Sequence, residues 1–458
     1  MRGLRTTIGL VVVLGGLFAY IYFVTWKQPA EDTGPKQEKV FAALEADKIS
    51  ELRVTPETGA TSTLKEDKDG WRLVEPIATT AADSEVSGIT SALAQLEIVR
   101  VVDENPASLN DYGLSTPRIE VDFKTPADKE FRRLLIGQKS PAGGNMFAKR
   151  NTDKRVFLIP AFQDQTFNRA TFDLRDKAAL RFDRDKVDHI EIDAAGKSLE
   201  IAKSGSDWNL TKPVQAASDY AAVEGLVGKV LGAQMKSVVA ENATPADLKK
   251  YGLDKPTATL TLGLGSAKAT LLLGGKAEGA TLYARDASKP LVMTLDASLA
   301  DDLGKGVNEY RRKDIFAFRA YDASRIEIAR GGQTIAFDKV KGDAAGAAGV
   351  PGIPGVEDKW RRVSPTAADT DREKMSVFLA KLESVRATTF LDSAAKTGLD
   401  SPVMTVYAKF DDGKKEERVK FGKAGDSVYA SRVGDPGAEK ISSAEFDEIV
   451  KKLDELAK

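Results

Sequence analysis

The chain has 458 residues, 42% of them hydrophobic and 29% charged, with 67 basic against 68 acidic side chains. That is enough apolar material for two to four domains of roughly 100–200 residues each, and it lacks the basic excess of a general nucleic-acid binder. The absence of Cys and the presence of a single His, His189, exclude disulfides, thiolate nucleophiles, zinc–cysteine sites, a lipoprotein Cys anchor and a multi-His metal centre, and any Ser-His-Asp triad would have to use that one residue.

The first element is an uncharged run over residues 6–25. At a rise of about 1.5 Å per residue it spans about 30 Å, the thickness of a bilayer's hydrocarbon core. Tyr20, Tyr22 and Trp26 crowd its C-terminal end, as an interfacial aromatic belt does. Arg2 and Arg5 precede the run and Lys27 follows it, so the positive-inside rule places the N-terminus in the cytoplasm and the body outside it. Residues 1–27 are therefore expected to be a cytoplasmic N-terminus and single-pass membrane anchor, with the lipid bilayer as partner through residues 6–25. A cleaved signal peptide is the alternative; it would carry small residues where the bulky Tyr22, Phe23 and Trp26 stand. Residues 28–458 carry 64 basic against 68 acidic side chains, a mildly acidic body.

The body is one unit written three times. A Trp followed five residues later by Pro occurs as Trp71/Pro76, Trp208/Pro213 and Trp360/Pro365, and an Asp follows each, as Asp83, Asp219 and Asp371. Gly-Leu-x-x-Pro then begins at Gly113, Gly252 and Gly398, at distances of 42, 44 and 38 residues from the Trp. An apolar segment ending at Gly137, Gly274 or Gly422 leads to Phe147-Ala148, Tyr283-Ala284 or Tyr429-Ala430. Residues 174–192 lie over 310–328 without a gap, at an offset of 136. Such an ordered recurrence marks an internal triplication. The expected units are 28–168, 169–308 and 309–458. The third carries a Gly/Ala/Pro-rich flexible insertion at 342–357, which is either a partner contact or a neutral addition.

Each unit reads as α+β with mainly antiparallel sheet. Ile49, Leu52 and Val54, or Val187, Ile190 and Ile192, alternate as a first strand. The charged segment 66–70 turns into the Trp strand, which Pro terminates. The Asp reads as an N-cap. The helix after it carries Val86, Ile89, Leu93 and Leu96 on one face; the counterparts are Val223, Leu226, Val227 and Val230, then Met375, Phe378, Leu379 and Leu382. Thr244-Pro245 opens a short helix that Gly252 closes, and the segment from Asn105-Pro106 to Gly113 reads as the same device. Short strands follow at 120–124, 132–136, 146–150 and 156–159. The final stretch, 443–458, places Phe446, Ile449, Val450, Leu453 and Leu456 at helical spacing, as a helix docked on the third unit.

Few residues suggest chemistry. His189 has Glu51 and Arg325 as its counterparts, so it reads as a solvent-facing strand position rather than a catalytic one. Trp71, Trp208 and Trp360 could stack a sugar or lipid, but one per unit fits three core anchors. Asp83, Asp219 and Asp371 could be acids or metal ligands, but their place before a helix fits capping. Gly196-Lys197-Ser198 lacks the Gly that a phosphate loop needs five residues earlier, and Gly274-Gly275-Lys276-Ala277 lacks the hydroxyl residue. The charge run 414–418, beside Asp411-Asp412-Gly413, reads as a hairpin turn and solvated edge. No catalytic, cofactor-binding or metal residue is assigned, and no cofactor.

The single anchor, the tandem Trp-x4-Pro…Asp units and the Tyr-Gly-Leu-x-x-Pro segments at Tyr112 and Tyr251 resemble the bacterial family called domain of unknown function 4340. The third unit departs from it with Thr397 in place of the Tyr. The resemblance implies an extracytoplasmic auxiliary component of ABC-type or gliding-motility-like transport systems, partnered by a permease and ATPase; it supplies no catalytic residues. The expected function is thus a membrane-anchored accessory, scaffold or binding protein. An envelope enzyme acting on glycan or lipid through paired carboxylates, and a purely structural spacer, are the alternatives.

Overall fold

Alternation builds the first sheet. In β1 (Glu51–Thr55) Leu52 and Val54 are fully buried while Arg53 between them is exposed, the period-2 pattern of a strand with one wet face. The same chain continues through β2 (Ser62–Asp67), β3 (Gly70–Glu75), β4 (Thr79–Thr80), the helix Asp83–Gln95, β5 (Arg100–Asp103), β6 (Ile119–Lys124), β7 (Arg132–Lys139), β8 (Asn145–Arg150) and β9 (Val156–Pro160). The strands lie in the order β4-β3-β2-β1-β6-β7-β8-β9-β5, and every neighbouring pair is antiparallel.

The computed structural model describes residues 38–151, 153–340, 358–435 and 437–457, with Phe18 and Tyr22. Most of the expected anchor at 6–25, and the insertion at 342–357, lie outside the described residues. Among the described residues no helix is long and apolar enough to cross a membrane. The same nine-strand order recurs in a second sheet running from His189 to Asp296 and a third running from Arg325 to Ile441. The protein is therefore α+β with three antiparallel sheets. The chain divides after Asp176 into two compact units. The first holds the first sheet; the second holds the other two.

One helix covers one face of each sheet, and the apolar stripes read from the sequence are its buried side. Val86, Ile89 and Leu93, then Val223, Leu226, Val227 and Val230, then Met375, Phe378, Leu379 and Leu382 are all buried. The opposite face is covered at β7–β9 by the Gly-Leu segment. Leu114 packs with Phe147, Val156 and Leu158 in the first repeat, and Leu253 with Tyr251 and Val292 in the second. The tyrosine rings meet aromatic partners, Tyr112 on Phe147 at 5.1 Å and Tyr251 on Tyr283 at 4.5 Å between centroids. This close seating explains the glycine at the strand end. A Cβ at Gly137 would lie 2.1 Å from the Tyr112 carbonyl oxygen, one at Gly274 2.3 Å from that of Tyr251, and one at Gly422 2.5 Å from that of Thr397.

Several expectations change. The Asp219 and Asp371 side chains accept from the amides of Ala222 and Lys374, as N-caps should. In the first repeat the cap position falls to Ala82, and Asp83 instead accepts from the Trp71 amide at 3.2 Å. The first and second repeats run without a gap here, so Ala82 occupies the position of Asp219 and Asp83 stands one place later, at that of Tyr220. Thr244–Asp247 forms the reciprocal capping box that starts the helix Pro245–Lys250. The counterpart from Asn105-Pro106 forms only a single 3-10 turn, Asn110–Tyr112, although Gly113 closes it with φ of +65° as expected. Trp71 and Trp208 are buried, but Trp360 is only half-buried against its core.

The charge run at 414–418 follows the expected hairpin turn and all of it except Glu417 is exposed, but its strand is not an edge. The strand Lys415–Ala424 lies between Met404–Phe410 and Ser427–Arg432, and Glu417 within it is buried. The C-terminal helix Ser443–Ala457 docks on the third repeat as expected, with Phe446, Ile449, Leu453 and Leu456 in its core.

Candidate functional site

The residues singled out in the sequence do not converge. Each Trp belongs to its own sheet, and Asp83, Asp219 and Asp371 are held by backbone amides at three separate helix starts. His189 is half-buried rather than fully solvent-facing, because its Nε2 lies 2.9 Å from Glu191 Oε1 along the same strand. Of Gly196-Lys197-Ser198, Gly196 closes a hairpin turn and the other two open the strand Lys197–Ser204: Ala195 and Gly196 have φ of +52° and +74°, as a two-residue type I′ connection requires. Gly274-Gly275-Lys276-Ala277 marks a bulge in the strand Ala267–Lys276. Among the described residues no group of three His, Cys, Asp or Glu side chains could hold a metal ion.

That hairpin instead forms one wall of a cleft of about 390 Å³ in the second repeat. Ile192 and Leu199 face each other across its two strands. The other wall is made where the helix Ser298–Leu303 stops and the chain turns through Gly304 and Gly306 into the short helix Val307–Tyr310. Leu303, Val307 and Pro213 complete an apolar lining, and Lys197, Lys305 and Asn308 stand at its rim. Lys305 is paired to Asp302 at 2.5 Å, and Lys229 reaches the same carboxylate at 2.7 Å. These two ammonium groups hold the Asp302 carboxyl below its usual range.

The counterparts of this place are closed in the other repeats. In the first, Ser62 and Thr171 stand where the second has Leu199 and Val307. Their hydroxyls hydrogen-bond at 2.9 Å, and Asn168 accepts from the Glu57 amide beside them. In the third, the C-terminal helix does not stop at Ile449, the counterpart of Leu303, but runs on to Ala457. Its Asp454 pairs with Arg330 at 2.6 Å, and its Ala457 carbonyl accepts from Arg362 at 2.7 Å. Arg330 occupies the strand position of Ala194, which lines the cleft in the second repeat.

A second feature is ionic: Arg432 with Asp435 repeats the Arg150–Asp153 pair of the first repeat, and Glu417 and Glu439 are its unshared members. Glu417 accepts from the amides of Ala317 and Phe318 at 2.9–3.0 Å and lies 3.4 Å from the Arg432 guanidinium. Arg432 also donates to Asp435 at 2.6 Å and to the Asp314 carbonyl at 3.2 Å. Glu439 pairs across the strand with Ala430. In the same register stand Phe157 opposite Ala148 and Met293 opposite Ala284, both buried and apolar. Burial pushes the Glu439 carboxyl up to about 7, and the nearby Asp435 charge adds to the rise. Neither Glu417 nor Glu439 lines the cleft.

Sequence reasoning missed the cleft, since nothing in residues 303–308 announces a void rather than a linker. It also missed Glu439, for which a signal existed. Aligning the three aromatic-Ala strands with the strands that follow them places a carboxylate where the other units carry Phe157 and Met293.

Fold and site together define a repeat protein, three copies of one nine-stranded α+β scaffold with an open apolar cleft in the second. The chain belongs to the family described as domain of unknown function (DUF4340), whose model matches residues 71–210 and 208–402. Both matches begin at a Trp strand. No curated protein and no solved structure matches the chain.

Proposed function

We propose that the protein is a membrane-anchored, extracytoplasmic scaffold or binding protein that works with an ABC-type transport system. The observation that carries the binding role is the cleft itself. Of three related scaffolds, two have this place closed by their own side chains or helix, and one leaves it open with an apolar lining and a basic rim. A cleft of a few hundred Å³ with few polar groups is the usual form of a recognition site. The uncharged run at 6–25 and the Arg2/Arg5 bias support the anchor and its orientation, and the family resemblance supports the transport association. Carboxylate catalysis draws no support from Glu417, which backbone amides hold within the third repeat, and neither Glu417 nor Glu439 lines the cleft.

Two measurements test the reading. A reporter active only outside the cytoplasm, fused after Lys458, should be active; an inactive reporter on a stably expressed fusion reverses the topology. Affinity purification of the full chain from solubilised membranes should recover a permease and an ATPase in stoichiometric amounts. Recovery of the chain alone, under conditions that keep such assemblies intact, removes the transport role.

A further inference from the structure

The first two repeats close the outer edge of their two-residue strand with an extended segment. In the first, Ala81 pairs with Arg175; the Ala82 amide donates to the Leu174 carbonyl at 2.8 Å, and the Asp176 amide to the Thr80 carbonyl at 2.9 Å. In the second, Ser218 pairs with Arg311; the Asp219 amide donates to the Tyr310 carbonyl at 2.8 Å, and the Arg312 amide to the Ala217 carbonyl at 2.9 Å. The same two hydrogen bonds thus add one antiparallel segment each time. Thr370 is the third counterpart, since its amide donates to the Trp360 carbonyl as those of Ala81 and Ser218 donate to Trp71 and Trp208.

Among the described residues nothing pairs with that edge in the third repeat. The matched strand positions Ile159, Leu295 and Ile441 lie fifteen residues before Leu174, Tyr310 and Leu456. The chain leaves its helix after the first two and runs on extended, with ψ of 151° at Arg175 and 142° at Arg311; at the third it is still helical. The Asp371 amide and the Asp369 carbonyl correspond to the groups paired in the other repeats, and neither has a hydrogen-bond partner among the described residues. Burial records the same difference. Ala81 and Ser218 are buried, whereas Thr370 is half-buried and Asp369 and Asp371 are exposed. The edge is also acidic: Asp369 stands where the other repeats have Thr80 and Ala217, and Asp371 follows two residues on. In the second repeat the residue bonded to this position is the basic Arg312.

We propose that the outer edge of residues 368–371 receives an extended basic segment of a partner protein as an added antiparallel strand. Two main-chain hydrogen bonds, from the Asp371 N–H and to the Asp369 C=O, would set its register. Lys or Arg side chains at the facing positions would answer the two carboxylates. A second copy of this chain is the poorer occupant, because its 174–176 and 310–312 segments are already paired internally. The proposal concerns the third repeat alone and depends neither on the cleft nor on a transport partner.

The test uses the full chain in lipid nanodiscs and a fluorescein-labelled synthetic peptide of residues 309–315, the segment that covers the second repeat's edge, followed by fluorescence anisotropy. Saturable binding is expected. Asp371→Pro deletes the amide donor at a φ of −60°, which proline adopts without strain, and should weaken binding about tenfold. Asp369→Lys should weaken it several-fold, with a matching loss of salt sensitivity. Asp400→Lys, exposed in the same repeat but outside the edge, should leave it unchanged. Melting curves show whether each variant is folded, and Asp369→Lys carries the test if Asp371→Pro is not. The chain has no Cys, so Thr370→Cys supplies a single thiol. The same peptide with Arg311→Cys should form a disulfide with it, because facing residues of an antiparallel pair lie within disulfide reach, and the unsubstituted peptide should compete this away. An absence of saturable binding up to about 1 mM peptide overturns the inference and makes the two Asp a guard against strand pairing. Binding that both edge variants leave intact overturns it too, as does a cross-link that the unsubstituted peptide does not suppress. Recovery of a permease and ATPase without peptide binding removes this inference and leaves the scaffold reading standing.

Discussion

The second and third repeats share a strand order, a helix over one face and a Gly-Leu segment over the other, yet they differ where the scaffold leaves freedom. The second has an apolar interior at Met293 and an open cleft; the third has Glu439 in that interior position and fills the groove with its own helix. The short turn after Ala284 or Ala430 shows the same tolerance. It is closed by Asp286 with Lys289 at 3.2 Å in the second repeat and by Arg432 with Asp435 at 2.6 Å in the third, a reversal of charge around one geometry. The scaffold therefore prescribes backbone contacts and helix-facing apolar positions. It leaves the polarity of the remaining sites to each copy, so a function belonging to one repeat should be sought in unshared residues.

The comparison is tested most strongly by the Trp strands. Trp208 is 2% exposed, and its Nε1 donates to Glu224 Oε1 at 2.9 Å, whereas Trp360 is half-buried. Trp208→Ala should cost roughly 3–5 kcal/mol, as large-to-small core changes do, while Trp360→Ala should cost about 1–2 kcal/mol because less apolar area is lost. Denaturant melts of the two variants measure the difference. Equal losses would mean that the repeats are anchored alike despite their different burial.

The buried carboxylate gives the next largest effect. The Glu439 carboxyl is raised from its ordinary 4.5 to about 7 by burial. Between those values the native state holds a proton that the unfolded state has released. Stability should therefore fall as pH rises through that window and level off above about 7. The full difference is on the order of 3 kcal/mol. Glu439→Gln, which mimics the protonated form, should melt like the parent at pH 4.5 and above it at pH 8. Parent and variant curves that stay parallel from pH 4.5 to pH 8 would show that Glu439 is not the source of the slope.

Helix faces and turn glycines were legible in the sequence because burial at helical spacing and a left-handed turn leave direct marks. Val223, Leu226, Val227 and Val230 face the core together, and Gly252 has the positive φ that its place after a short helix demands. Other features depend on contacts distant in sequence. Asp83 looks like Asp219 until the strands before it are aligned, which puts it one place later, inside the helix, where its carboxylate meets Trp71 instead of its own first turn. Glu417 sits in a run of alternating charge, and only the neighbouring strands and the amides of Ala317 and Phe318 make it an interior residue. The cleft arises where a helix ends, and the sequence of that ending does not state what stands opposite.

The cap difference predicts a smaller effect. Asp219→Ala and Asp371→Ala each remove a side-chain acceptor from a helix start and should cost about 1 kcal/mol. Asp219 also lies 3.8 Å from Arg386, a surface pair of little added value. Asp83→Ala should instead loosen the Trp71 strand, which amide exchange at Trp71 would register. Exchange confined to the first helical turn in that variant would restore the capping role to Asp83.

The smallest expected effect is at His189. Its strand position is filled by Glu51 in the first repeat and Arg325 in the third, and each makes ion pairs of its own: Glu51 with Lys65, and Arg325 with Glu327 and Asp338. The position thus accepts either sign of charge, provided that a neighbour answers it. His189 answers Glu191, but Glu191 also has Lys268 at 3.3 Å, so the carboxylate keeps a cation when the imidazole is removed. Across the strand stands Gly263, which offers no side chain for His189 to pack against. His189→Gln retains a hydrogen-bonding group of similar reach and should change stability by no more than about 0.5 kcal/mol. Any transport phenotype should be unchanged as well, since His189 does not line the cleft. A loss of function with the melting curve preserved would place chemistry at the chain's one imidazole and move the working site from the cleft to the first strand of the second sheet.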